Sequence, residues 1–136
     1  MVDRVVIDTN VWISGLLWRG TPHQIVLLAR AGVLLPIISR TMVDELLTKL
    51  QTSFDFSKDD LRITEKEIYA MSEKIEITGE ARYIADDPKD DQFVECAILG
   101  RATAIVSGDK HLLNLGTIEG IPILNPKDFL MRMGNQ

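Results

Sequence analysis

Cysteine is all but absent: one residue, Cys96, in a chain of 136. It cannot close an internal disulfide, and with no CxxC pair or Cys/His cluster the chain offers no zinc site, so Cys96 reads as small core filler. No apolar run approaches the ~18 residues that a membrane helix needs. Asp3 and Arg4 stand where a secretion signal would carry its apolar core, so the expected compartment is the cytoplasm, with no membrane partner. A surplus of positive charge is also missing. The formal net charge of -5 argues against a protein that grips nucleic acid by overall basicity, although cations bound by its acids would escape that count. Thr9-Asn10-Val11 supplies no glycines after the first apolar run, which argues against a phosphate-binding loop or a dinucleotide fold. There is no internal repeat and no low-complexity tract.

What remains is ordinary: 46% hydrophobic and 26% charged residues, the composition of a globular protein at the length of one domain, expected over residues 1–136. Val5 to Ile7 is a β-branched run that predicts a buried parallel strand. A short helix is expected over Val11 to Trp18, then a second one capped by Thr21, opened by Pro22 and ending near Gly32. Val33 to Ser39 predicts the next strand, with Pro36 suggesting an edge or a bulge. Ser39 or Thr41 then caps a helix to about Leu50 along the stripe Val43, Leu46, Leu47 and Leu50.

Ser57 to Lys74 is polar and helical in character, Ile75 to Ile77 a strand, and Gly79 to Lys89 a loop. Phe93, Cys96, Ala97 and Gly100 share one face of a helix that feeds a strand at Ala104 to Val106. A helical turn near Leu112, a strand at Ile121 to Leu124 and a helix from Pro126 complete the alternation. Such alternation predicts an α/β fold: a three-layer α/β/α sandwich with a mainly parallel central sheet of about four to five strands.

In such sheets ligands bind beyond the carboxyl ends of the strands. Asp8 follows Val5–Ile7 directly, and Asp109 follows the strand at Ile105 and Val106. Asp86, Asp87, Asp90 and Asp91 lie where the preceding helix opens, and Asp44 and Glu45 ride the helix after the second strand. Singly, each has a plain role as helix cap, turn former or solvated charge. Together they would repel one another unless some are protonated or a cation sits among them. Magnesium or manganese takes oxygen ligands, and two such ions ~4 Å apart can activate a water and stabilise the leaving oxygen of a phosphodiester. Periodicity does not choose between Asp44 and Glu45, since both lie off the apolar stripe.

The blocks DTNVWIS, SRTMVDELLTKL, DPKDDQFVECA and IVSGDKHLL, in this order and spacing, resemble the PIN-domain ribonucleases, particularly the small VapC-like toxins of toxin-antitoxin pairs. The resemblance spans nearly the whole chain. It implies four acids that hold Mg2+ or Mn2+ and catalyse RNA cleavage: Asp8, Glu45 (leaving Asp44 as surface charge), Asp91 and Asp109. Asn10 and Ser107 match supporting polar positions, and Asp90 is the substitute for Asp91. Glu95, one turn past Asp91 on the same face, is within reach of the pocket, although surface charge is its expected role. Substrate grip would fall to Lys110 and His111, nearest the pocket, then Arg40, Arg19, Lys49 and Lys89. The implied partners are RNA, a cognate antitoxin and further copies of the chain in a homodimer or higher homo-oligomer. Trp12, Trp18 and Leu17 are expected in the core or at that dimer contact, and His23 in a structural role.

Two rival readings compete. A haloacid-dehalogenase-type phosphatase wants a second Asp two residues after the first, where this chain has Asn10. A PIN-like fold without catalysis would serve as an RNA- or protein-binding module.

Overall fold

Three consecutive residues, Val5, Val6 and Ile7, are buried. Because side chains alternate across a strand, this requires both faces of the sheet to be covered. The structure is a computed structural model and describes residues 2–84 and 90–134. Its strands are β1 (Asp3–Ile7), β2 (Leu34–Ile38), β3 (Glu73–Lys74), β4 (Ala104–Val106), β5 (Thr117–Ile118) and β6 (Ile121–Leu124). They form one sheet in the order β3-β2-β1-β4-β6-β5. Every pairing is parallel except that of β5 with β6.

The helices are α1 (Thr9–Leu17), α2 (Thr21–Arg30), α3 (Arg40–Phe54), α4 (Lys58–Met71), α5 (Asp91–Leu99), α6 (Lys110–Leu115) and α7 (Pro126–Gly134). Helix α5 lies on β1, β2 and β4 and packs on α3, which meets α4; α2 lies on β2 and packs on α1 and α7, and α1 in turn meets α3. The fold is the expected α/β sandwich with a mainly parallel sheet. No helix among the described residues is long and apolar enough to cross a membrane.

Short polar residues at the strand ends start the helices. The Asp8 side chain accepts the Val11 N–H, Ser39 accepts that of Met42, and Asp109 accepts that of His111; each satisfies an orphan donor of the first turn. Ser57 and Asp60 form a reciprocal capping box on α4. Thr21, expected as a cap, lies one position inside: Gly20 is the cap of α2 and bonds through no side chain, and Pro22 occupies the first turn, where no N–H is needed. Helix α1 begins at Thr9, earlier than expected, and α3 runs past Leu50 to Phe54, where Asp55 at φ 57° turns the chain left-handed.

The sheet has six strands where about four to five were expected. The extra one, β5, is two residues long and joins β6 through Glu119 (φ 50°) and Gly120 (φ 78°). A two-residue hairpin needs positive φ at both positions, and Glu-Gly announces this less plainly than Asn-Gly or Asp-Gly. The strand expected at Ile75 to Ile77 lies instead at Glu73–Lys74, although Ile75 N still donates to Ile38 O at 2.8 Å. Pro36 sits in an interior strand, in register with Val5. Strand β3 reaches only Ile37 and Ile38, so beside Pro36 the far flank of β2 carries no strand, and an absent N–H turned that way breaks no ladder.

Trp12 is buried in the core, whereas Trp18 is exposed and Leu17 half-buried. His23 Nδ1 bonds Gly15 O at 2.7 Å, a structural contact between α2 and α1. At Gly15 a Cβ would stand 2.6 Å from the Val26 side chain and 2.7 Å from Pro22 O, so glycine lets the two helices touch. Cys96 is fully buried, and burial together with the charge of Glu95 pushes its thiol up to about 12.

Candidate active site: an acidic cleft beyond the carboxyl ends of β1 and β4

The chain leaves β1 toward β2 on one side and later returns to β4 on the other, so the winding reverses at β1. The crevice outside the strand ends at such a reversal is where α/β sheets bind ligands. Asp8 is the first residue past β1, and Ser107 and Asp109 follow β4.

Asp8 is buried. Its Oδ1 accepts from Val11 N at 2.9 Å and its Oδ2 accepts from the Ser107 hydroxyl. Ser107 Oγ in turn accepts from Asp109 N at 3.0 Å, so one buried hydroxyl joins the ends of β1 and β4. Burial pushes the Asp8 carboxyl above its ordinary pKa; hydrogen bonds from Ser107, Val11 and Gly108 oppose the shift, and the charge of Asp109 adds to it.

Glu45 reaches in from α3. Its Oε1 accepts from Thr9 Oγ1 at 3.2 Å and its Oε2 from Gln92 Nε2 at 2.7 Å. Thr9 adjoins Asp8, and Gln92 adjoins Asp91, so Glu45 bridges the end of β1 to the start of α5. Asp8, Glu45, Asp90 and Asp109 line one cavity of about 150 Å³ together with Asn10 and Lys49. Glu45 also lines a neighbouring cavity of about 260 Å³ with Asp91, Gln92, Glu95 and Arg82.

The sequence placed Asp91 beside Asp8, Glu45 and Asp109 with Asp90 in reserve. The structure puts Asp90 in the cavity with those three and Asp91 in the adjoining one, with Glu45 lining both. Asp91 is buried: its Oδ1 accepts from Tyr83 N at 2.8 Å and Ile84 N at 2.7 Å, and its Oδ2 is a buried atom with no hydrogen-bond partner. Glu95, expected as surface charge, is buried and accepts from Thr78 N (2.7 Å), Thr78 Oγ1 (2.8 Å) and Gly79 N (3.1 Å). Burial works against its charge, but the three bonds prevail and hold its carboxyl below the usual value. Two acids one turn apart on α5 thus fasten the two ends of segment 78–84, which borders the cavity that holds Asp91.

Asn10, expected to orient carboxylates, lines the cleft and accepts from Lys49 Nζ at 3.4 Å. Lys110 and His111 are exposed beside Asp109 at the start of α6. Arg40 points elsewhere. It pairs with Asp44 at 2.6 Å, bonds Glu65 and Tyr69 Oη, and lies 5.9 Å from the centre of the Tyr69 ring, tying α3 to α4. Asp86, Asp87 and Lys89 lie outside the described residues. The polar residues that sequence reasoning left without a role are Thr9 and Gln92, which hold Glu45. Their only signal was adjacency to Asp8 and Asp91.

The donors are carboxylate oxygens, the type that Mg2+ and Mn2+ select. A buried carboxylate oxygen without a partner on Asp91, and a carboxyl on Asp8 that burial holds toward the neutral form, are both conditions a cation relieves. Among the described residues, however, no three acidic, histidine or cysteine side chains already stand close enough to hold an ion. The residue types fit; seating an ion would require the carboxylates to draw inward.

Fold and site define a parallel α/β sandwich that gathers acids beyond the ends of its central strands. Residues 4–111 match the PIN domain, and the chain belongs to that family. The match runs from β1 through His111 and so includes Asp8, Glu45, Asp91 and Asp109.

Solved structures agree in fold. The chain is similar to PAE2754 from Pyrobaculum aerophilum, with 13% identity, TM-score 0.58, and coverage of 99% of this chain and 91% of that one. It is similar to the T. brucei RRP44 PIN domain, with 12% identity, TM-score 0.55, and 99% and 83% coverage. It is also similar to the PIN domain endonuclease Utp24, with 23% identity, TM-score 0.51, and 88% and 82% coverage. None of the curated protein sequences matches the chain.

Proposed function

We propose that this chain is a divalent-metal-dependent endoribonuclease that hydrolyses RNA phosphodiester bonds with Mg2+ or Mn2+. The observation that carries this reading is the junction of Asp8, Glu45, Asp90 and Asp109 in one cleft at the reversal point of a PIN fold. Asp8, Glu45, Asp109 and the pair Asp90/Asp91 would hold the ions, which when bound supply an activated water and stabilise the leaving oxygen. Ser107 fixes the Asp8 carboxylate through Oδ2, and Thr9 and Gln92 hold Glu45 from both sides, so these ligands keep a defined orientation from which a bound ion would draw them inward. Lys49, Lys110 and His111, at the rim, would face the phosphates. The name of Utp24 describes a PIN domain endonuclease, which fits this chemistry.

The biological setting we infer is that of a VapC-like toxin in the cytoplasm, acting as a homodimer and restrained by a cognate antitoxin, on the resemblance of the four sequence blocks. A neighbouring small gene encoding an antitoxin is the observation that tests it.

One observation favours a second reading, the non-catalytic binding module: no three ligands are already gathered among the described residues. Incubating a mixed RNA pool with Mg2+ or Mn2+ separates the two. The nuclease reading expects cleavage by the parent protein and none by Asp8→Asn; absence of cleavage by both favours the module.

A further inference from the structure

Three contacts show how α1 and α3 run side by side: Thr9 to Glu45, Asn10 to Lys49, and the ring of Trp18 to that of Phe54. Residue numbers rise together along both helices, so the seam leads away from the acids and ends at the aromatic pair. From Asn10 to Trp18 is roughly 12 Å at ~1.5 Å per helical residue.

Trp18 is 55% exposed and Phe54 37%, whereas Trp12 on the same helix is 1% exposed. The rings meet edge to face, 5.6 Å between centroids and 69° between planes. That contact steadies the indole, and its exposure leaves ring surface open.

Between the acids at its head and Asp55 beside Phe54, the only charged side chains along the seam are positive. No Asp or Glu occurs between Asp8 and Asp44, or between Glu45 and Asp55, in a protein of net charge -5. Those stretches place Lys49 at the cleft rim and exposed Arg19 next to Trp18. Open aromatic faces interleaved with cations bind single-stranded nucleic acid, the bases stacking on rings and the phosphates meeting the charges.

We propose that Trp18 and Phe54 form a base-stacking platform that holds single-stranded RNA leading into the acidic cleft, with Lys49 and Arg19 as its phosphate contacts. The proposal rests on the nuclease reading above. At ~3.4 Å per stacked nucleotide, a base on Trp18 lies about three to four nucleotides from the phosphate at the acids. The platform takes any base, because every base has a π-face, and it rejects duplex RNA, whose bases already stack on one another.

The test titrates Asp8→Asn protein, which should not cleave, with a short mixed-sequence oligoribonucleotide, single-stranded or annealed to its complement. The single strand is expected to quench tryptophan emission. Adding Trp18→Leu should remove the quench and weaken single-strand binding about tenfold while leaving duplex binding unchanged, and Trp18→Tyr should restore most of the affinity. Lys49→Ala should lower the slope of log affinity against log salt by about 0.7, one phosphate's worth.

Equal single-strand affinity in the Trp18→Leu protein overturns the proposal, as does an equal loss on duplex. A shift from dimer to monomer in sedimentation with RNA affinity untouched also overturns it and makes the pair a self-contact. Cleavage assays on the Asp8-containing proteins keep the two readings apart. If parent and Trp18→Leu cleave with the same KM, only the platform falls; if the parent neither cleaves nor binds RNA, the nuclease reading falls with it.

Discussion

Glu95→Gln isolates the role of a carboxylate that lies beside the cleft without lining the cavity that holds Asp8. The Oε2 atom of Glu95 accepts from both the N–H and the hydroxyl of Thr78, and Oε1 accepts from Gly79 N. In glutamine an NH2 group replaces one oxygen. If it faces Thr78, the hydroxyl can rotate to accept from it, but the Thr78 N–H loses its partner, and the Gly79 bond becomes neutral. A hydrogen bond to a charged group contributes about 1.5–3 kcal/mol and a neutral one about 0.5–1.5 kcal/mol. Thr78 and Gly79 are exposed, so water replaces part of what is lost, and removing a buried charge offsets another part. The net destabilisation at neutral pH is about 1–2 kcal/mol.

The sign with pH follows from a carboxyl held below its ordinary value of 4.5. Its stabilisation is fully present above that value and is lost as pH falls through the folded-state pKa. Urea unfolding followed by circular dichroism should therefore show a gap between wild type and Glu95→Gln at neutral pH that shrinks in acid. Equal stabilities at neutral pH, or a gap undiminished in acid, would refute the reasoning.

Asp8→Asn should abolish RNA cleavage and, in EDTA, melt at or above the parent. Asp8 titrates high because it is buried, so the stability it supports below its ordinary value of 3.8 is lost as pH rises through its folded pKa, and asparagine escapes that loss; a large drop in melting temperature would make Asp8 structural. Asp91→Asn should likewise remove activity while retaining the acceptor for Tyr83 and Ile84, so its metal-free melting temperature should hold. Ser107→Ala leaves Asp8 Oδ2 and Asp109 N without their shared partner and should cost about 1–3 kcal/mol, read from denaturant midpoints. In the native state Cys96 should resist a thiol reagent at neutral pH and react only on unfolding, because the thiol is buried and titrates at about 12; labelling of the folded protein at the rate of a free thiol would contradict this.

The central strands and their helices were legible because their signals are local: β-branched runs for β1 and β4, a 3.6-residue stripe for α3, and Ser39 at its cap. What escaped depended on partners distant in sequence. Two-residue β3 exists through its pairing with β2 and so settled two residues earlier than its apolar neighbours suggested, and β5 required positive φ at Glu119. Strand-end logic pointed to Asp8 and Asp109, which line one cavity, while the choice of Glu45 over Asp44 came from family resemblance. The structure supplies a physical reason: Glu45 bonds Thr9 and Gln92, whereas Asp44 pairs with Arg40. Glu95 was misread because helical spacing shows which face a residue occupies and not that segment 78–84 folds over that face to bury it.

Metal-dependent cleavage requires a cation to draw these carboxylates together. Mn2+ uptake, followed by the loss of its free-ion paramagnetic resonance signal, tests that claim most directly. Saturable uptake by the parent that is lost in a folded Asp8→Asn protein is the predicted result. Uptake that Asp8→Asn leaves unchanged, or no uptake by the parent at all, would contradict it.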